Sequence, residues 1–182
     1  DSPSSTGSLT VANNATGVLY LTGTNAYTGV TRLTTGILRV DTIGDGGTAG
    51  NIGAATNAAS NLLLDGGTLQ YNGVTDSTDR AFTLVNAKTS TINILTAAAV
   101  LTISGSSASS TGALIINGNA TSTLYLSGTN AYSGTTTLTA GMLQVGSNSA
   151  TGSGTLSLNG GTIKGDGTAR TLSNAITYAA IS

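Results

Sequence analysis

The chain has 182 residues and a net charge of −1, and only 7% of its residues are charged, against about 25% in a typical soluble domain. Its six Lys and Arg residues are scattered, which argues against a nucleic-acid surface, because phosphate binding needs clustered cations. It contains no His, Cys or Glu, which excludes Ser-His-Asp and Cys-His catalysis, zinc sites built from His and Cys, and disulfides.

Taken in chain order, short segments alternate apolar and polar residues, which is the period of a half-buried strand. Such segments occur at 19–21, 38–40, 69–71 and 101–103, and apolar runs recur at 62–64 and 92–95. Gly-Thr-Asn, Asp-Gly-Gly and Asn-Gly sequences separate them and predict turns. Thr, Ser, Asn and Gly are poor helix formers, so we predict an all-β fold. No apolar run reaches the roughly 18 residues of a membrane-spanning helix.

A long duplication organises these segments. The sequence LYLTGTNAYTGVTRLTTGILRV at 19–40 returns at an offset of 105 as LYLSGTNAYSGTTTLTAGMLQV at 124–145, with 15 of 22 positions identical. Further on, 62–69 resembles 156–163 at an offset of only 94. We therefore expect the second copy to be shorter by the difference between these offsets (105 − 94), with the missing segment around the loop at 44–61.

Tandem copies favour a solenoid over a sandwich or a barrel, because each turn of a solenoid buries its apolar face on the next turn. The prediction is a single β-solenoid domain over 1–182, with one copy at about 1–105 and a shortened copy at about 106–182. With turns of about 20 residues spaced about 4.8 Å apart, the chain would form eight or nine turns.

The segments at 21–40 and 126–145, with their Asn-x-Tyr-x-Gly cores, resemble the autotransporter-associated β-strand repeat, also called the passenger-associated repeat. The resemblance implies a right-handed parallel β-helix in a secreted or surface-exposed bacterial protein, often a large passenger or adhesin. Since such repeats usually belong to long chains, we expect either a fragment of one or a short stand-alone subunit.

Among catalytic constellations, the sequence leaves Asp combined with Lys or Arg, the set that β-helical polysaccharide lyases use. The best local cluster is Asp76, Asp79 and Arg80, in a stretch rich in turn-forming residues. The second copy has Ala169 in place of Asp79. We favour a solvated loop over an active site, and we predict no catalytic residue, no cofactor site and no enzyme activity.

A calcium site and N-glycosylation sites are two further possibilities, and simple turns compete with both. Calcium could use Asp41, Asp45 or Asp65, but tandem Gly-Gly-x-Gly-x-Asp repeats are missing, so we predict no metal site. Asn14-Ala15-Thr16 and Asn119-Ala120-Thr121 fit the N-glycosylation pattern. Asn-x-Thr arises easily in this composition, and we favour turns here as well.

Four tyrosines occupy repeated positions, namely Tyr20, Tyr27, Tyr125 and Tyr132. They could form an aromatic platform for sugars. We favour packing at the edge of the core or against neighbouring turns, where tyrosine buries its ring and keeps a partner for its hydroxyl.

The ends of the chain, Asp1–Gly7 and Thr177–Ser182, show neither an amphipathic helix nor a charged terminal turn, and the pattern at 177–182 predicts a strand. Open sheet edges invite pairing, so we expect something to cover them. The leading hypothesis is an extracellular structural protein, a subunit of a bacterial surface filament that assembles with itself head to tail. The alternative is a stalk fragment of a larger autotransporter-type passenger or adhesin that contacts a host or matrix surface. A remote alternative is a polysaccharide-acting enzyme.

Overall fold

The computed structural model describes residues 2–179, with side chains from residue 5 onward. Its elements are short strands and one 3-10 helix, α1 (Ala59–Asn61). The strands are β1 (Ser2–Ser5), β2 (Leu9–Ala12), β3 (Val18–Leu21), β4 (Asn25–Tyr27), β5 (Thr31–Thr35), β6 (Ile37–Val40), β7 (Leu62–Leu64), β8 (Thr68–Tyr71), β9 (Asp76–Thr78), β10 (Thr83–Leu84), β11 (Thr89–Ile94), β12 (Val100–Ile103), β13 (Ala113–Gly118), β14 (Thr123–Leu126), β15 (Thr136–Leu138), β16 (Met142–Val145), β17 (Leu156–Leu158), β18 (Thr162–Gly165) and β19 (Ile176–Tyr178).

These strands stack in parallel along one axis. The longest sheet has eight strands in the order β19-β17-β15-β13-β11-β8-β6-β3, and it is flanked by a five-stranded sheet, β18-β16-β14-β12-β9, and a four-stranded sheet, β10-β7-β5-β2. Strands β1 and β4 form a separate parallel pair. A full turn such as β7, β8, β9 places one strand in each of the three long sheets. The predicted parallel β-solenoid of about eight turns is confirmed, and the hand of its coil stays a prediction.

Alternation along each strand builds the core. In the eight-stranded sheet one inward column runs through Leu19, Leu38, Leu69, Ile92, Ile116, Leu138, Leu158 and Tyr178. Four of its members, from Leu69 to Leu138, are 1% exposed. Each fully buried aliphatic side chain contributes about 1.5–3 kcal/mol of hydrophobic stabilisation. The apolar-polar alternation in the sequence is therefore what fixes the register of every turn.

One turn of the first copy is much longer than its counterpart in the second. In the first copy Leu38 pairs with Leu69 of the next turn. In the second copy their counterparts Leu143 and Ile163 pair over a shorter stretch of chain. The residues that make the first stretch longer lie in the segment 41–61, which we call the inserted loop. It ends in helix α1, immediately before β7.

The duplicated segments occupy different sheets. Strands β3 and β6 of the first copy belong to the eight-stranded sheet, whereas their sequence counterparts β14 and β16 belong to the five-stranded sheet. Four turns of the coil lead from Leu19 to Ile116 in the same inward column. The sequence counterpart of Leu19 is Leu124, which comes after Ile116 in the chain and lies in β14. A residue of the second copy therefore lies four turns along the axis from its counterpart in the first copy, and in the next sheet around the coil. The structural repeat is the single turn, and the two copies do not superpose sheet on sheet.

Both ends of the described stack expose sheet edges. Within residues 2–179, β3 and β19 each pair with one neighbour in the eight-stranded sheet. Val18 and Tyr20 are 45% and 43% exposed near one end, and Ile176 and Tyr178 are 47% and 73% exposed near the other. Strand is observed at Ile176–Tyr178, and the rest of the strand predicted at 177–182, from residue 180, lies outside the described residues. No helix in the described part of the chain could cross a membrane.

Candidate functional site

The inserted loop is organised around a buried arginine. Arg80, which is 3% exposed, follows β9 in the next turn and extends its guanidinium into the loop. Its Nε, Nη1 and Nη2 donate to backbone carbonyls at distances of 2.8–3.4 Å. The five acceptors are the carbonyls of Gly44, Asp45, Thr48, Gly53 and Ala55. Burial lowers the pKa of Arg80 from its ordinary value, and the nearby Asp79 and Asp45 act in the opposite direction.

Asp79 ties the inserted loop to the next turn from the outside. Its carboxylate accepts the Gly46 N–H at 2.7 Å and the Asn57 side-chain amide at 3.1 Å. In return, the Asp79 N–H donates to Oδ1 of Asp45 at 3.0 Å. Asp76 accepts the N–H of Ser77, its own neighbour, at 2.8 Å. The expected solvated loop is wrong for Arg80, because the inserted loop folds around its guanidinium and buries it.

The three aspartates considered for calcium lie in separate environments. Asp41 accepts from Tyr20 at 2.7 Å, Asp45 bonds the Asp79 backbone, and Asp65 forms an ion pair with Arg32 at 2.7 Å. Among residues 2–179 no three His, Cys, Asp or Glu side chains come together in a group that could hold a metal ion. Each carboxylate instead joins one turn to the next.

The repeated tyrosines divide into an inner and an outer pair. Tyr132 is 0% exposed, and its hydroxyl lies 2.6 Å from that of Thr136. Tyr27 makes the same contact with Thr31 at 2.8 Å but is only half-buried. Burial raises the pKa of both phenols. For this pair the prediction of packing at the core is correct.

The outer pair points away from the core. Tyr20 begins a row of outward side chains on the eight-stranded sheet, which we call the outer column: Tyr20, Arg39, Gln70, Asn93 and Asn117. Arg39 lies over the Tyr20 ring, 5.6 Å from its centroid, and donates through Nε to Gln70 at 2.6 Å. The column is polar. It contains one cation, Arg39, and its central member Gln70 is only 7% exposed.

The second copy builds the equivalent row on the five-stranded sheet. There Tyr125, Gln144 and Lys164 are neighbours in register. The Tyr125 hydroxyl donates to Asp166 at 3.3 Å, and Asp166 forms an ion pair with Arg170 at 2.6 Å. The hydrogen bond from Arg170, with one from the Thr168 N–H, holds the pKa of Asp166 well below its ordinary value.

Both Asn-x-Thr sequences form exposed turns between strands. In the second, Oδ1 of Asn119 accepts the N–H and the hydroxyl of Thr121, both at 3.1 Å. In the first, the Thr16 hydroxyl donates to Asn14 at 3.4 Å. These side-chain contacts within the turn are what Asn and Thr supply at strand ends, in agreement with the favoured interpretation.

Buried asparagines are the structural residues that the sequence analysis did not single out. Asn51 accepts the N–H groups of Asp41 and Thr42 at 2.9 Å each. Asn130 accepts from Ser107 and donates to Ala150, at 2.8 and 2.7 Å. Both side chains are themselves buried, Asn51 at 5% and Asn130 at 4% exposed. Because their amides bind backbone groups of other segments, they help to hold the turns together. The Asn of the repeated Asn-x-Tyr core was the signal that could have identified Asn130.

Comparison with known proteins gives two matches. The family model described as passenger-associated-transport-repeat matches residues 15–40 and 121–145, the two duplicated segments. The chain carries the passenger-associated-transport repeat. It is also 46% identical over 134 residues to a protein of Brucella suis biovar 1 (strain 1330) named adhesin BmaC autotransporter. That alignment covers 72% of the chain and 4% of the relative. No solved structure matches the chain.

In the structure each match to the passenger-associated-transport repeat covers consecutive turns. The first match includes β3, β4, β5 and β6, and the second includes β14, β15 and β16. The resemblance inferred from the Asn-x-Tyr-x-Gly core is confirmed. The repeat and the relative together indicate an extracellular location at the cell surface. The chain spans about 4% of the length of this curated relative.

Proposed function

We propose that the chain is a non-catalytic module of an autotransporter-type passenger, a rigid solenoid segment that holds an adhesive surface away from the cell. The observation that supports this most directly is the passenger-associated-transport repeat, folded as a parallel solenoid, in a chain 46% identical over 134 residues to a named autotransporter adhesin. The closely packed inward columns supply rigidity, because a densely packed interior resists deformation.

Within this module, the inserted loop and the outer column are the surfaces proposed to make contact with a host or matrix. The loop is an addition to the repeating turn, and insertions in solenoids commonly form the binding face. Its shape is fixed by Arg80 and Asp79, so contact would not require ordering a flexible segment, which otherwise weakens binding.

The comparisons favour a passenger or adhesin over the self-assembling filament that was our leading expectation. Open edges with Ile176 and Tyr178 exposed are compatible with either, so the two need a direct test. Electron microscopy of the purified chain should show discrete rods about 35–40 Å long, the length of eight turns. Uniform filaments at moderate concentration would instead support the filament subunit.

Adhesion is tested by coupling the chain to fluorescent beads and counting beads that remain on cultured epithelial cells and on matrix-coated glass. We expect more attachment than for beads carrying an unrelated protein of the same size. The second copy supplies a matched control, a chain in which residues 41–61 are replaced by its own 146–155. Loss of attachment in that variant would assign contact to the inserted loop, and retention would exclude the loop as the contact surface. Attachment no greater than background for the parent chain would contradict the proposal.

The absence of catalysis is tested by screening acidic glycans for cleavage, with Asp79→Ala as the comparison. We expect no product from either protein. Cleavage by the parent chain that Asp79→Ala abolishes would support the remote alternative of a polysaccharide-acting enzyme.

A further inference from the structure

The chain contains three Asn-Gly pairs, Asn72-Gly73, Asn117-Gly118 and Asn159-Gly160. In such a pair the backbone nitrogen of glycine can attack the side-chain amide of asparagine, since glycine has no Cβ to obstruct the approach. Whether it does so in a folded protein depends on whether the fold brings the two groups together in the right orientation. The three pairs differ in this respect.

At Asn117 the two reacting groups already lie against each other. The Gly118 N–H donates to Oδ1 of Asn117 at 2.9 Å, which brings the glycine nitrogen close to the side-chain carbonyl carbon. The neighbouring strand explains this contact. Strand β15 ends at Leu138, the partner of Ile116, so no residue of β15 faces Gly118. The Gly118 N–H therefore turns to the adjacent side chain, because a backbone donor without a strand partner seeks another acceptor.

The other two asparagines are held by other partners. Asn72 donates its side-chain amide to Asp41 at 3.0 Å and to Tyr20 at 3.3 Å. Oδ1 of Asn159 accepts the Ser157 hydroxyl at 2.9 Å. The side-chain amides of Asn72 and Asn159 are thus held by partners other than the following glycine nitrogen, and Asn159 is the more exposed of the two to water.

We propose that Asn117 is a site of spontaneous deamidation selected by the fold. The Gly118 nitrogen forms a bond to Cγ of Asn117, the bond from Cγ to the side-chain nitrogen breaks, and the Gly118 proton departs with that nitrogen as ammonia. Water then opens the resulting succinimide at one of its two carbonyls and leaves aspartate or isoaspartate. The reaction consumes only water, and it proceeds faster at higher pH because the attacking nitrogen must lose its proton.

The product changes the outer column. Asn117 is in register with Asn93 in that column, and its conversion places a carboxylate among neutral side chains. Isoaspartate additionally inserts a methylene into the backbone near the end of β13. The column would thus gain negative charge with age, without any enzyme.

The test is a time course of the whole folded chain at mildly alkaline pH, followed by peptide mass mapping that resolves the three sites. Conversion at Asn117 should be about tenfold faster than at Asn72 or Asn159, a ratio that a modest gain in orientation supplies. The same chain unfolded in urea is the control, in which the three sites should react at similar rates. Asn117→Gln should remove the fast reaction, and Ser157→Ala should accelerate conversion at Asn159.

Two results would overturn the proposal. One is a folded chain in which Asn159 or Asn72 converts as fast as Asn117. The other is a ratio between sites that does not change when the chain is unfolded, since the fold would then play no part.

Discussion

At the scale of single residues, Arg80 supplies the hydrogen bonds that a neighbouring strand would otherwise donate to backbone carbonyls. The inserted loop has few strand contacts of its own, and the guanidinium satisfies five of its carbonyls. Arginine suits this role because its planar group presents five N–H donors in a fixed arrangement. The ammonium group of a lysine has three N–H donors on a single nitrogen and could not bind all five carbonyls.

We expect Arg80→Ala to lower the free energy of unfolding by about 3 kcal/mol, because buried hydrogen bonds to a charged group are lost together. Limited proteolysis should then cut within residues 41–61, which the parent chain should resist. Urea unfolding and mass spectrometry of the fragments measure the two effects.

Arg32→Ala is the matched control for the loss of a positive charge. Arg32 pairs with Asp65, and 45% of the Arg32 side chain is exposed against 7% of the Asp65 side chain. Its loss breaks contacts to one carboxylate rather than to five loop carbonyls, so it should cost less than Arg80→Ala and should not open residues 41–61 to proteolysis. Equal effects of the two substitutions, or an unchanged cleavage pattern in Arg80→Ala, would mean that Arg80 does not hold the loop.

The ion pair between Asp166 and Arg170 gives a pH dependence. Because the folded chain lowers the pKa of Asp166 below the ordinary value of 3.8, the pair stabilises the fold above that value and loses its effect as the pH falls below it. Asp166→Asn should therefore lower the unfolding midpoint at neutral pH, and the difference from the parent should shrink below pH 3.8. A difference that stays constant across this range would show that the carboxylate charge contributes nothing.

At the scale of elements, turns depend on glycines for two separable reasons. Gly53 has φ of +80°, and a Cβ there would lie 2.5 Å from the Tyr27 carbonyl oxygen. Gly47 has a similar φ of +83° but open space around it. The first position therefore combines an unfavourable backbone conformation with a clash, and the second has the backbone conformation alone.

We expect Gly47→Ala to cost about 1 kcal/mol, the penalty for a left-handed non-glycine residue. Gly53→Ala should cost a further 1–3 kcal/mol or so, since overpacking forces neighbouring atoms to shift. Chemical denaturation of both variants provides the comparison. Equal losses would indicate that the chain between Tyr27 and Gly53 relaxes without strain.

The strands and their turns could largely be predicted from the sequence, and the placement of the copies could not. Alternating residues such as those at 69–71 and 101–103 became strands β8 and β12, because burial of one face fixes a period of two. Which sheet a strand joins depends on the summed length of all preceding turns. The inserted loop shows the difficulty, because it adds length to one turn while β7 and β8 still pair with β5 and β6, and no local pattern around β14 or β16 records such differences.

The candidate site was predictable only in part, for a similar reason. The cluster Asp79-Arg80 was identified from its composition, but its burial depends on a loop in the preceding turn that folds over it. Exposure of Tyr20 and burial of Tyr132 likewise follow from neighbouring turns. Sequence spacing gives the side of a strand, whereas only the stacked structure gives what covers it.

At the scale of the whole molecule, stability should vary along the axis. Each turn contacts only its neighbours, so a solenoid behaves as a one-dimensional stack whose outer turns open more easily. Amide hydrogen exchange should be slowest in β11 and β13, which have neighbours on both sides, and faster in β3 and β19. Uniform exchange along the stack would indicate that all turns unfold in one step.

The displacement of the second copy by one sheet has a consequence for how such a rod meets a surface. Equivalent outward rows, one beginning at Tyr20 and one at Tyr125, lie on adjacent faces. A chain lengthened by repeating the same step between copies would place its third equivalent row on the remaining face. Each segment of three copies would then present the row once on each of the three faces, and the rod could attach through any one of them.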